Sequence, residues 1–238
     1  MLNANPIFIQ VINVDVVAVI VARGGSKRIP NKNILPINGI SLLERKIDTL
    51  KQCSSISRVI VGSEDATILE LAKARGAEVV KRPDYYCDEA QASANDMIGN
   101  MCSLISADVV VWAHCTNPLV SVDTYESAVN AFFEAEQEGY DSLLSVYELK
   151  EHLWDSNFQV LNYDPYAERH TLASELEPLY AQDGAIFIQR HNNMLKNSYF
   201  FGAKPKHFIM PVEEVFDINF PVEFKIAEIL LSQCEGDR

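Results

Sequence analysis

Apolar and polar positions along this chain change period at regular intervals. Val16-Val-Ala-Val-Ile-Val-Ala22, entered from Asp15, is an uninterrupted apolar, β-branched run of the length of one buried strand. Between Ser41 and Cys53, apolar side chains fall at Leu42, Leu43, Ile47 and Leu50, the spacing of a helix face. Arg58-Val-Ile-Val61 is a short strand, 65–75 a helix closed by Gly76, and Glu78-Val-Val-Lys81 a strand again. The pattern continues as a helix over 93–105, a central strand over 108–113, a helix over 122–138 before Gly139, and a strand over 141–146. After a polar interval, Ala185-Ile-Phe-Ile188 and the segment near Phe208-Ile-Met210 read as strands. A helix over 221–231 places Phe224, Ala227 and Leu231 on one face.

Strand–helix alternation of this kind predicts an α/β, doubly wound, mostly parallel sheet with helices on both faces. Right-handed crossovers bring successive strand ends to one edge, so the segments after Ala22, Val80 and Ala113 should meet at one cleft. No repeat or linker divides the chain, so one domain over 1–238 is expected, with an inserted excursion at about 147–180. That interval is polar, spaces Trp154, Phe158, Tyr163 and Tyr166 irregularly, and is broken by Pro165 and Pro178. Loop-rich insertions of such length in a compact domain are usually functional or an interface.

Composition narrows the function classes. The formal net charge of −13 argues against nucleic acid or an anionic membrane as partner. The longest apolar run, 16–22, is far too short to span a bilayer, and residues 1–14 do not read as a signal peptide. Five scattered cysteines without a C-x-x-C fit reduced thiols of a cytoplasmic protein.

Against this acidic background, Arg23-Gly-Gly-Ser-Lys-Arg-Ile-Pro-Asn-Lys-Asn33 carries four basic residues (Arg23, Lys27, Arg28, Lys32), two glycines and no acid. A cationic loop fed by a core strand suits phosphate: glycines admit close approach of backbone N–H groups, arginine grips an oxyanion as a fork, and lysine reaches it as a point charge. The plain alternative is a basic surface turn. Neither G-x-x-x-x-G-K-[ST] nor G-x-G-x-x-G is present, and the helix near Ser41 begins too late to cap the loop.

This loop resembles the signature of the cytidylyltransferases that make CMP-activated nonulosonic acids (sialic, legionaminic and pseudaminic), with the Kdo enzyme a more distant relative. The resemblance implies a nucleotide-diphospho-sugar transferase-like, Rossmann-like fold. It also implies a homodimer in which the 147–180 arm crosses to a second subunit, CTP and a nonulosonic acid as substrates, and Mg²⁺ as cofactor. Carried over residue by residue, it makes Ala22, Gly24, Gly25, Ser26, Lys27 and Asn33 nucleotide-binding and assigns Arg23 and Lys32, with Asp217, to catalysis.

Further matches are shorter. Arg82-Pro83 is similar to an Arg-Pro that contacts the nucleotide, against the alternative of an exposed loop arginine. Ser93, with Asp96, resembles a Ser/Thr-x-x-Asp that meets base or sugar, and is equally an ordinary helix N-cap. His114-Cys-Thr-Asn-Pro-Leu-Val120 stands where relatives carry Gln-Pro-Thr-Ser-Pro-Leu-Arg, which makes His114, Thr116 and Asn117 sugar-site residues. A Cys115–His114 nucleophile pair is discarded, because neighbours in an extended segment point to opposite faces. Tyr180-Ala-Gln-Asp-Gly184 resembles Tyr-x-x-Asn-Gly and adds Tyr180, Gln182, Asp183 and Gly184 to the sugar side; its alternative is a turn into a core strand. Relatives carry Arg-Gln where this chain has Ala173-Ser174, so a basic contact to the sugar is either absent or supplied by Arg169. Asp217-Ile-Asn219 resembles the Asp-x-Asp metal site, with Asn219 in place of the second acid; otherwise Asp217 is an N-cap for the last helix.

The reaction implied is a nucleotidyl transfer from CTP with release of pyrophosphate, catalysed by positioning and charge stabilisation. Two other expectations compete: a sugar-1-phosphate nucleotidyltransferase, and a catalytically degraded nucleotide-binding homologue.

Overall fold

The computed structural model describes residues 14–26 and 28–236, and of these the side chains up to 233. Lys27 and Cys234 therefore lie outside the described side chains, as does the stretch 1–13. A seven-stranded sheet forms the centre, in the order β5-β4-β1-β6-β8-β7-β9. The strands are β1 (Val16–Val21), β4 (Arg58–Ser63), β5 (Glu78–Lys81), β6 (Val109–Ala113), β7 (Ser142–Leu149), β8 (Leu179–Arg190) and β9 (Pro205–Ile209). β8 alone runs against its neighbours β6 and β7; every other pairing is parallel.

Apolar side chains on both faces of β1 and β6 make the sheet a two-sided core. Val16, Ala18 and Ile20 pack in one cluster with α1 (Leu42–Gln52), α2 (Ala66–Ala74), α4 (Val122–Gln137) and α6 (Pro221–Gly236). Val17, Val19, Val110 and Trp112 pack in the other with α3 (Ala94–Ser103) and α5 (His191–Asn197). Helices on both faces of a mostly parallel sheet are the doubly wound arrangement expected.

Four of these helices start on a side-chain cap. Ser41 with Glu44 and Ser93 with Asp96 form capping boxes, while Asp65 and Ser121 cap α2 and α4. Each cap sits where the chain leaves a loop at the sheet edge, so the caps also fix the loops. The chain runs outward from β1 to β4 and β5, then returns to the other side of β1 as β6. Strand order reverses there, and open α/β sheets form their ligand crevice at such a point.

The structure adds elements that periodicity does not announce. β2 (Pro36–Ile37) and β3 (Ile40–Ser41) form a small hairpin around Asn38-Gly39, both with positive φ. Strand β8 begins at Leu179 and not at Ala185, so Tyr180 and Gln182 are strand residues paired with β7, and Asp183 lies at the register shift that follows. This shortens the irregular arm to 150–178, which holds an isolated bridge between Trp154 and Val160 and a 3-10 turn at Ala173–Glu175.

Candidate active site

A cavity of about 630 Å³ opens at the switch point, lined by the loop after β1, the turn after β5, the start of α3 and the loop after β6. The three segments expected at one cleft are therefore neighbours. Of the residues singled out from sequence, Arg23, Ser26, Lys32, Asn33, Arg82, Ser93, His114 and Thr116 line it.

The loop after β1 is held from behind. Ala22 is buried and its N–H donates to the Gly62 carbonyl of β4 at 3.1 Å. The Gly24 N–H donates to Glu64 Oε1 at 2.8 Å. A Cβ at Gly24 would lie 2.5 Å from Asp65 Oδ2, and Asp65 is pinned because its other oxygen accepts from Thr67 and Ile68 N–H at 2.7 and 3.1 Å. Only glycine allows this approach. Neither Gly24 nor Gly25 has a positive φ, so the loop stays open for want of a Cβ, without left-handed backbone. Asn31, at φ 57, opens the 3-10 turn Lys32–Ile34, and Asn33 Nδ2 donates back to the Arg23 carbonyl at 3.4 Å.

Lys32 joins the two halves of the site. Its Nζ donates to the Ile218 carbonyl at 2.6 Å, and Ile218 N–H donates to the Thr116 carbonyl at 2.9 Å. Half-burial pulls the lysine below its usual pKa, opposed by the charge of Asp217 next along the chain from Ile218. Arg23 reaches the carboxylate of Glu89 at 2.6 Å. Arg28, in the basic loop but given no role from sequence, lines the cavity and lies over the Phe220 ring at 5.2 Å.

Arg82 is no exposed loop arginine. It is 1% exposed, donates to Asn100 Oδ1 and to the carbonyls of Tyr86 and Met97, and keeps Nη1 without a hydrogen-bond partner. Burial lowers its pKa, with no carboxylate bonded to it to offset the cost. Ser93 is the N-cap of α3 and also lines the cavity.

The loop after β6 is stitched to two others. His114 Nδ1 lies 2.6 Å from the Gly184 carbonyl, and Asn117 Nδ2 donates to the Asp183 and Phe216 carbonyls at 3.4 Å each. Asn117 is buried and its amide is spent on these ties, so it holds the loops together and does not face the cavity. Asp183 Oδ1 accepts from Ser145 Oγ and from the Ala185 N–H, while Oδ2 is buried without a partner. Gly184, at φ +73, needs its glycine. Tyr180 and Gln182 lie on the β7–β8 ribbon, Tyr180 exposed and Gln182 paired with Val146, and neither lines the cavity. Arg169 pairs with Glu175 on the arm at 2.8 Å and likewise does not line it. Cys115 is buried with its thiol pushed up to about 12, which rules out a thiolate nucleophile at neutral pH.

Asp217 and Asn219 follow Val215 in an extended turn before α6. Asp217 is not the helix cap; Glu223, in the first turn of α6, reaches back to accept from the N–H groups of Asn219 and Phe220. Asn219 Nδ2 donates to Asp217 Oδ2 at 2.5 Å, and Asp217 Oδ1 is buried without a hydrogen-bond partner. Among the described residues, no group of three or more His, Cys, Asp or Glu forms a metal cage. One orphaned carboxylate oxygen and a nearby amide carbonyl fit a hard cation completed by phosphate and water.

Comparison with known proteins gives the family and the fold. The family model described as cytidylyltransferase matches residues 17–231. The chain belongs to the cytidylyltransferase family. Among its curated relatives, the pseudaminic acid cytidylyltransferase of Campylobacter jejuni is 25% identical over 221 residues, covering 89% of this chain and 94% of the relative. The CMP-N,N'-diacetyllegionaminic acid synthase of Legionella pneumophila is 24% identical, covering 91% and 96%. Solved structures share the fold. A CMP:2-keto-3-deoxy-manno-octonic acid synthetase, complexed with CTP, superposes with a TM-score of 0.67 at 15% identity over 92% of this chain and 99% of its own. The 4-diphosphocytidyl-2C-methyl-D-erythritol synthase of Anaerococcus prevotii does so at 0.66 and 12%, over 92% and 99%. This member of the family is thus a nucleotidyltransferase on a doubly wound sheet, and no helix among its described residues is long and apolar enough to cross a membrane.

Proposed function

We propose that this cytidylyltransferase activates a nonulosonic acid with CTP, giving the CMP-sugar and pyrophosphate. One observation carries the reading: Arg23, Lys32 and Arg82 converge on a single cavity in a chain of net charge −13, and Lys32 is bonded to the turn that bears Asp217. Relatives named for pseudaminic, legionaminic and N-acylneuraminic acid support the acceptor class.

In this reading Arg23, Ser26 and the Gly24-Gly25 backbone hold the triphosphate, with Asn33 bracing the loop. Arg82 offers its unpartnered Nη1, and Ser93 its hydroxyl, to the nucleotide. Lys27 belongs to the same loop by sequence. Lys32 places its charge against the α-phosphoryl group as the acceptor hydroxyl attacks and pyrophosphate departs. The acceptor lies toward His114 and Thr116, backed by the Asp183-Gly184 segment of β8 that Asn117 secures; Tyr180 and Gln182 lie outside the cavity and are left to contacts across a homodimer. Asp217 and Asn219 hold Mg²⁺, which when bound supplies charge neutralisation at the phosphates and lowers the pKa of the attacking hydroxyl. The setting we infer is cytoplasmic glycan biosynthesis.

The test is pyrophosphate release with CTP or UTP against sialic, legionaminic and pseudaminic acids in Mg²⁺. Turnover with CTP and one of the acids is expected. CTP binding without transfer to any of them, or a preference for UTP with a sugar phosphate, would overturn the reading.

A further inference from the structure

The transfer reaction proposed for this site leaves the acceptor's proton without a destination. In the turn before α6 the only acid is Asp217, one of whose oxygens already accepts from Asn219. Other titratable groups in the cavity wall are unsuited as bases. Arg23, Arg28, Lys32 and Arg82 are cations, Glu89 is paired with Arg23, Tyr86 is a phenol beside Arg82 on the nucleotide side, and the thiols of Cys87 and Cys115 are pushed up to about 11 and 12. His114 remains.

Its tautomer is dictated by its neighbour. A backbone carbonyl can only accept, so the 2.6 Å contact to Gly184 puts the proton of a neutral imidazole on Nδ1. Nε2 then carries a free lone pair, while the ring forms part of the cavity wall beside Cys115 and Thr116. The ring is held edge-on against Phe187 and Phe200, at 6.2 and 5.9 Å between centroids. Gly184 presents its carbonyl from a left-handed conformation that a side chain would strain. Orientation and tautomer are therefore both built in before any ligand arrives.

We propose that His114 is the general base of the transfer reaction, accepting at Nε2 the proton of the attacking sugar hydroxyl. The proposal rests on the CMP-transfer reading. As the hydroxyl oxygen bonds to the α-phosphorus, its proton passes to Nε2. The bond from the α-phosphorus to the bridging oxygen breaks, and pyrophosphate leaves with that electron pair. The imidazolium later returns its proton to solvent. Burial keeps the imidazole below its ordinary pKa and hence neutral at pH 7. The charges bearing on the ring come from three elements. Asp217 favours the imidazolium, while Lys46 of α1 and Lys32 oppose it; β8 contributes only the Gly184 carbonyl and the Phe187 ring.

The experiment pairs the pH dependence of kcat for the wild-type enzyme with that of His114→Gln, which keeps a polar group at the position and removes its basicity. The wild type should lose kcat on the acid side along a single-proton limb. The variant should fall by roughly 10²-fold or more at neutral pH, keep its CTP affinity within about threefold, and show no such limb. A variant within a few-fold of wild-type kcat, or one that keeps the acid limb, overturns the base. Nitrogen NMR of the wild-type imidazole tests the tautomer without any variant: protonation at Nδ1 is required, and a neutral ring protonated at Nε2 overturns the assignment. Failure of the wild type to transfer CMP to any nonulosonic acid sinks the broader reading and the base with it. An active wild type with an indifferent His114→Gln sinks the base alone.

Discussion

From inside the core, Lys46 Nζ donates to the carbonyl of Asn117 at 2.8 Å. Its second bond goes to Tyr125 Oη, also at 2.8 Å, and the residue is 2% exposed. A buried ammonium thus props the same Asn117 whose amide ties the β8 and Phe216 carbonyls together.

Desolvation lowers the Lys46 pKa from 10.5 to about 8. Below about pH 8 both folded and unfolded chains are protonated, and the folded state bears the full cost of the buried charge. From about 8 to 10.5 the unfolded chain binds more protons, so this contribution to stability rises with pH, by ~3 kcal/mol across the window. Lys46→Met should therefore be as stable as wild type near neutrality, within about 1 kcal/mol, and relatively less stable as the pH rises past 9. Cys102, pushed up to about 12 by burial alone, pulls the other way above 9, but wild type and variant share it. Urea melts of both proteins at several pH values measure the difference, and a gap that stays flat with pH would contradict the buried charge.

Lys32 is half-buried against Ile218 and the charge of Asp217, so its ammonium is already placed at the junction of the two loops. If it acts on charge that develops during transfer, Lys32→Ala should lower kcat by ~10²-fold or more and change the CTP dissociation constant only a few-fold. Calorimetric binding of CTP beside single-turnover pyrophosphate release separates the two. Equal losses would make Lys32 a binding residue only.

How much of this is legible in the sequence depends on whether the relevant residues are neighbours along the chain. β1 and the cationic loop announce themselves, because an apolar run followed by glycines and unpaired charge is a local pattern. The orientation of β8 is not local: periodicity says nothing about which way a strand runs, and its first half, Leu179 to Gln182, is held by hydrogen bonds to β7 and not by burial. Helix α5 spans seven mostly polar residues and buries only His191 and Met194, too little for an apolar stripe. The hairpin at Ile37-Asn-Gly-Ile40 is readable, since Asn-Gly between two apolar residues is a turn signal. Glu64 is not: its bond to Gly24 spans 40 residues and joins the ends of β1 and β4. The substitution of Asn for Asp at 219 is visible in the sequence, but that its amide faces Asp217 requires the fold.

Glu64 sets a carboxylate on the Gly24 amide that a phosphate oxygen would take in the proposed nucleotide complex. The negative charge also bears on Arg82. Glu64→Gln can keep the hydrogen bond through its amide oxygen while removing the like charge. The KM for CTP should fall about fivefold, corresponding to ~1 kcal/mol, with kcat nearly unchanged. Initial rates over a CTP series decide it; a higher KM would mean that Glu64 organises the loop more than it competes with the nucleotide.

Asn219 bears most directly on how the site handles a cation. Its amide donates to Asp217 Oδ2 at 2.5 Å, so one carboxylate oxygen is satisfied without metal while Oδ1 stays unpartnered. Asn219→Asp would set two carboxylates against each other and turn that bond into repulsion, lifting one pKa and destabilising the metal-free protein by about 1 kcal/mol or more. A divalent cation should reverse the penalty, because two acids hold it better than an acid and an amide. Thermal melts of the variant should therefore respond to Mg²⁺ more steeply than those of wild type, and the Mg²⁺ concentration for half-maximal activity should drop. Activity in saturating Mg²⁺ should be kept or raised. Melts that ignore Mg²⁺ in both proteins, or a clear loss of activity at saturation, would remove Asp217 and Asn219 from the metal site and leave their contact as a purely structural bond.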